Sequence, residues 1–171
     1  MILAPTNGPI GFQPHGSVAR MVSRDGTNTL AVGDVVICSY GHTDAVYPPT
    51  TIAQQELSPF SSVIRATGAS SNTANGFIGV VIDLLDGAGA NGTYVMVQFG
   101  GVVKAKATSD SATAIARGNR LSIHDSNGGF DRGGGAASTY PAAIALGDLA
   151  ANSTGTILVC MIPTMWFQAD V

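Results

Sequence analysis

Apolar residues along this chain alternate with polar ones at a spacing of two, in short runs broken by Gly, Asn and Asp. The clearest run is "FIGVVIDLLDG", which sets Ile78, Val80, Ile82 and Leu84 on one face and predicts a strand. "TYVMVQF" opposes Val95, Val97 and Phe99 to Tyr94, Met96 and Gln98. Between the two, "DGAGANG" is a turn of the Asn-Gly type. Gly100-Gly101 then predicts a hairpin onto "VVKAKA", whose Lys104 and Lys106 share a face with Val102. Further along, "NRLSIHD" alternates Leu121 and Ile123 against Ser122 and His124, and "DSNGGFDRGGG" reads as a loop or wide hairpin. "YPAAIALGDLA" is rich in alanine, which favours helix, but Pro141, Gly147 and its short length favour strand. The near-continuous run "GTILVCMIP" predicts a central strand buried on both faces.

The first half is less regular. "NTLAVGDVVICSYG" reads as strand, Gly-Asp turn, strand, so the core strands are expected to begin near Leu30. The stretch 43–62 is turn-rich, and Pro48-Pro49 and Ser58-Pro59 leave room for at most one helical turn around Ile52–Leu57. A short strand at Val63–Ala66 and a Ser/Asn/Gly loop follow, so the loop-rich insertion as a whole spans about 43–76. Ahead of everything lies "NGPIGFQPHGSV", in which Pro9 and Pro14 remove backbone donors and the glycines leave the chain loose. Ile10 and Phe12 are nevertheless apolar enough to require burial. The expected architecture is all-β: a compact barrel or sandwich of short antiparallel strands over 20–171, preceded by an extended N-terminal arm over 1–19.

Composition sharpens this picture. Of 171 residues, 45% are hydrophobic but only 11% charged, against about 25% charged in an ordinary soluble domain. A surface so poor in charge tends to associate, and much of it is expected to meet other protein. The net charge of −3 and the scattered basic residues exclude the positive stripe that a nucleic-acid groove requires. No apolar run is long enough to cross a bilayer as a helix, and the first residues lack the charged and apolar regions of a secretory signal. Nucleic acid and membrane are therefore not expected partners. The sequons at Asn91 and Asn152 read as turn residues. Cys38 and Cys160 lie in apolar runs, where buried free thiols are expected. The apolar tail, Met165, Trp166 and Phe167, is expected to pack over a barrel end or a subunit boundary.

Catalytic signals are missing. His124 reads as an exposed strand residue, His15 lies in the arm, and His42 beside Asp44 is too small a set for a metal site. Asp125, Asn127 and Asp131 superficially resemble a calcium loop but lack its flanking helices and its bidentate glutamate. No G-x-S-x-G elbow occurs, neither cysteine has a histidine nearby in sequence, and no helix follows "GAGANG" to receive a phosphate. An enzyme is not expected, nor is a cofactor or metal.

One likeness spans most of the chain. The ordered set "GPIGFQPHGS", "GDVV", "ARGNRLSIHDSNGGF", "AAIALGDLA" and "GTILVCMIP" resembles the small β-rich decoration, or cement, proteins of tailed-bacteriophage capsids. The matching positions are Gly11, Phe12 and Pro14 in the arm, Gly33, Asp34, Val35 and Val36 at the turn, and Gly118, Leu121 and Gly128 before the last strands, which end at Pro163. The proline-rich stretch 43–62 and the aromatic tail depart from that pattern. The resemblance implies a non-enzymatic homotrimer, made in the host cytoplasm and seated on the outer surface of the virion. There it would bind the major capsid protein through Ile10, Gly11, Phe12 and Pro14 and stabilise the shell. A fibre or receptor-binding β-module is the alternative, although Tyr40, Tyr47, Tyr94 and Tyr140 form no visible cluster in sequence.

Overall fold

A computed structural model describes residues 15–38, 62–66, 78–109, 112–124, 127–132 and 141–162. The expected helical turn at Ile52–Leu57 and most of the 43–76 insertion lie outside them. Within them the protein is all-β, with nine strands: β1 His15–Ser23, β2 Val35–Cys38, β3 Ser62–Arg65, β4 Ile78–Leu84, β5 Tyr94–Ser109, β6 Arg120–Ile123, β7 Phe130–Asp131, β8 Ala143–Ala145 and β9 Ser153–Met161. Strands β1-β3-β2-β4-β5 close into a five-stranded barrel, because β5 pairs back onto β1. The remaining strands follow the order β5-β7-β6-β8-β9, and β9 likewise returns to β5. Most pairings are antiparallel; β1–β3 and β5–β7 are parallel.

Alternation along β2 and β4 sorts their side chains between two cores, whereas β1 and the first half of β5 turn one face to the barrel and the other outward. Met21, Val36, Cys38, Val63, Val81, Val95 and Val97 fill the barrel, with Leu30 from the loop before β2. Leu30 donates its N–H to Gly89 O (2.8 Å), in the β4–β5 turn, so it occupies that end of the barrel. Phe99 packs on the same cluster at the far end of this half of β5. The opposite faces of β2 and β4, through Val35, Ile37 and Val80, join the second core with Val103, Ala105, Leu121, Ile123, Phe130, Val159 and Met161. One set of barrel walls thus serves two interiors.

Several expectations change. The arm is shorter than 1–19: β1 starts at His15 and pairs with β5 from Ser17 to Val22, so the strands begin well before Leu30. Gly100-Gly101 closes no hairpin. Both glycines have positive φ (81° and 72°), and the strand runs on through them for 16 residues in all. Pairing on both sides of the glycines prevents the chain from folding back on itself there. The face expected for β4 is also split, because a register shift between Val81 and Asp83 turns Leu84 toward the barrel core while Ile78, Val80 and Ile82 face the second one. In β9, Leu158 is 40% exposed between buried Ile157 and Val159, so only the strand's last residues are covered on both faces. His124 is buried rather than exposed, as are Leu121, Ser122 and Ile123 on both faces of β6; its backbone N–H donates to Gly129 O (2.9 Å), continuing the β6–β7 ladder. Both cysteines are buried and free, and burial pushes the Cys38 thiol up to about 11.

Candidate functional site

The Gly100-Gly101 bend organises the surface most suited to interaction. Gly101 stands opposite His15 of β1 and also opposite Met161 of β9. The N-terminal arm and the C-terminal tail therefore join the fold at one place, on the two sides of β5. Gln98 holds the bend, its side-chain amide donating to Gly100 O and Val102 O (3.0 Å each). Gly16 lies directly against the Gly100 carbonyl, with no room for a Cβ. A positive φ at Gly100 and Gly101 is what lets one strand leave the barrel wall and enter the second circuit of strands, since L-residues resist that conformation.

Beside the bend, β1 and β5 present an outer face on which Val18 pairs with Gln98, Arg20 with Met96 and Val22 with Tyr94. Val18 is 47% exposed and Tyr94 40%. Met96 and Val22 are partly covered, and Leu85, next to Tyr94, is exposed. The Arg20 guanidinium sits over the Tyr94 ring, 4.6 Å from its centre. The face is apolar in the main, with one cation held flat against an aromatic ring.

The second notable cluster is interior. Asp34, just before β2, is almost wholly buried and accepts from the Arg65 guanidinium at 3.0 Å and from Ala31 N–H at 3.0 Å. Lys106 Nζ lies 3.7 Å from its other oxygen and donates to Asn127 O (2.8 Å). Arg65 also donates to Thr29 O (2.8 Å), and its backbone N–H to Asp25 Oδ2 (3.2 Å). Lys106 N–H donates to Gly33 O (2.8 Å), in the turn that Gly33 permits at φ 93°. One carboxylate thus ties the loop before β2, the end of β3, the second half of β5 and the β6–β7 loop. Its ligands are two cations and a backbone N–H, an arrangement that joins elements and offers no nucleophile. The Gly-Asp turn was visible in the sequence, but Arg65 and Lys106 as its partners were not. Nothing in their local sequence sets them apart from surface cations, and they come together only because β3 pairs with β2 and the Lys106 N–H bond to Gly33 O brings β5 against the turn before β2.

The residues singled out in the sequence fall largely elsewhere. Ile10, Gly11, Phe12, Pro14, Met165, Trp166 and Phe167 lie outside the described residues, as do His42, Asp44 and Asp125. Asn127 and Asp131 belong to the β6–β7 hairpin, where Asn127 Nδ2 donates to Thr108 Oγ1. Among the described residues no three His, Cys, Asp or Glu side chains converge on a point that would hold a metal. The chain matches no known protein-family model and no curated protein sequence.

Proposed function

We propose that this protein is a decoration protein of a tailed-phage capsid, a homotrimer that binds the major capsid protein on the outer surface of the virion through its N-terminal arm. The observation that carries the reading is how the arm is attached. Residues 1–14 lead directly into β1, which is paired along its length to β5 inside a closed barrel. A pull directed along β1 loads the β1–β5 hydrogen bonds together rather than one after another. A clamp that must resist outward pressure on a shell requires that geometry. The low charge and the apolar β1–β5 face next to the arm support association with other protein.

Ordering an arm costs about 1–2 kcal/mol per residue, so a single arm gains little, and three on one trimer gain by avidity. Burying Phe12 contributes about 1.5–3 kcal/mol. Phe12→Ala is therefore expected to weaken co-sedimentation with expanded, DNA-filled capsids at least tenfold while leaving the unfolding midpoint within a few degrees. Failure of the unaltered protein to sediment with such capsids would overturn the reading, and a single-chain mass by light scattering would overturn the trimer.

A further inference from the structure

Lys106 and Thr108 stand two residues apart on β5 and so point to one face of the strand. Asn127 reaches that face from the β6–β7 loop. Its main-chain O accepts from Lys106 Nζ (2.8 Å), and its Nδ2 donates to Thr108 Oγ1. The amide lies over Gly129, where a Cβ would stand 3.0 Å from Asn127 Oδ1 and 3.1 Å from Lys106 O. Asn127 Oδ1 is buried without a hydrogen-bond partner among the described residues. The amide carbon of an asparagine is about 3–4 Å from its own main-chain oxygen by standard bond lengths. A small swing of the flexible Lys106 stem therefore brings Nζ onto Asn127 Cγ. Asp34 Oδ1, 3.7 Å from Nζ, completes the set.

We propose that Lys106 and Asn127 join in a self-forming isopeptide bond that welds the second half of β5 to the β6–β7 loop. As an ammonium, Lys106 is no nucleophile. Of the two cations at Asp34, Arg65 keeps its proton and Lys106 is the one able to give one up, to the Asp34 carboxylate. The free amine then adds to Asn127 Cγ. Negative charge gathers on Oδ1, the atom left without a partner. Arg65 packs against the neighbouring Gly128 and brings positive charge and a buried, unpartnered Nε–H to the same cluster. The bond from Cγ to the amide nitrogen breaks. The second amine proton and the one held by Asp34 leave with that nitrogen as ammonium, and Lys106 Nζ is left acylated. No oxidant or cofactor takes part, and the bond does not depend on the capsid reading.

Mass spectrometry of the denatured full-length protein tests this directly. The chain is expected to be lighter than its sequence by one ammonia, and a tryptic digest to yield a branched peptide joined through Lys106 and Asn127 and uncut after Lys106. Lys106→Arg, which keeps a cation beside Asp34, and separately Asn127→Ala should each restore the sequence mass. Asp34→Asn should lower the joined fraction in freshly made protein at least tenfold while far-UV circular dichroism stays unchanged. The full sequence mass in the unaltered, folded protein would overturn the proposal. So would a loss of ammonia that persists in Lys106→Arg, which would assign it to ring closure at Asn127-Gly128 instead. Complete joining in a folded Asp34→Asn protein would overturn the proton transfer to Asp34.

Discussion

Asp34 shows how much a single side chain can join. It is buried at 2% exposure and holds two cations from β3 and β5, so removing it strands both, with their desolvation already incurred. Breaking a buried pair from one side costs about 3–5 kcal/mol. Asp34→Ala is expected to lie toward the lower end of that range, because Lys106 retains partial access to solvent. Asp34→Asn should cost less, since a neutral oxygen can still accept from Ala31 N–H. Urea unfolding measures both, and a double variant with Arg65→Ala should be clearly less destabilised than the sum of the singles. Additive losses would mean that the pair contributes nothing as a pair. At this scale the sequence was partly legible. Gly33-Asp34 before an apolar run marked the turn, and the apolar settings of Cys38 and Cys160 marked buried thiols. His124 was misread, because alternation assigns one face of β6 to solvent while the fold covers both faces from Leu121 on.

Among the elements, β5 departs most from expectation. Two adjacent glycines between alternating runs have the composition of a hairpin turn and equally that of a bend in a continuous strand. Neighbours on both sides decide between them: β1 reaches Gly101 from one side and β9 from the other. The two local roles of glycine at this bend separate by mutation. Gly100 has open space around a Cβ but a φ of 81°, so Gly100→Ala should cost only the backbone strain, about 1–2 kcal/mol. Gly16 faces the Gly100 carbonyl, a backbone group that cannot rotate away. Gly16→Ala should therefore cost ~3 kcal/mol, at the upper end for overpacking, by prying β1 from β5. Equal urea midpoints for the two variants would show that the close approach of β1 to the bend carries no energetic weight. The register shift in β4 follows the same logic, since one strand lies between two cores and its face must change along its length.

At the scale of the whole molecule, closure makes β1 indispensable, and truncation tests that directly. Removing residues 1–14 leaves the β1–β5 pairs in place and should change the unfolding midpoint by no more than a few degrees. Removing residues 1–23 deletes every pair of β1, those with β5 from His15–Gly101 to Val22–Tyr94 and those with β3 at Val22–Ser62 and Ser23–Val63, and opens the barrel onto Val95 and Val97. That shorter chain should lose cooperative unfolding and bind a hydrophobic dye, and a cooperative transition in it would show that the barrel holds without β1. Period-two alternation and turn residues by themselves determined that the protein is all-β, roughly where most strands lie, and that its cysteines are buried. These are properties of local backbone preference and of side-chain direction, which a strand imposes on every residue it contains. Only the tertiary structure decided that β5 is one strand shared by two circuits, that Arg65 and Lys106 meet at Asp34, and that both chain ends join the fold at Gly101. Each of these depends on which distant segments pair, and that choice is made by the joint burial of two cores rather than by any one stretch of sequence.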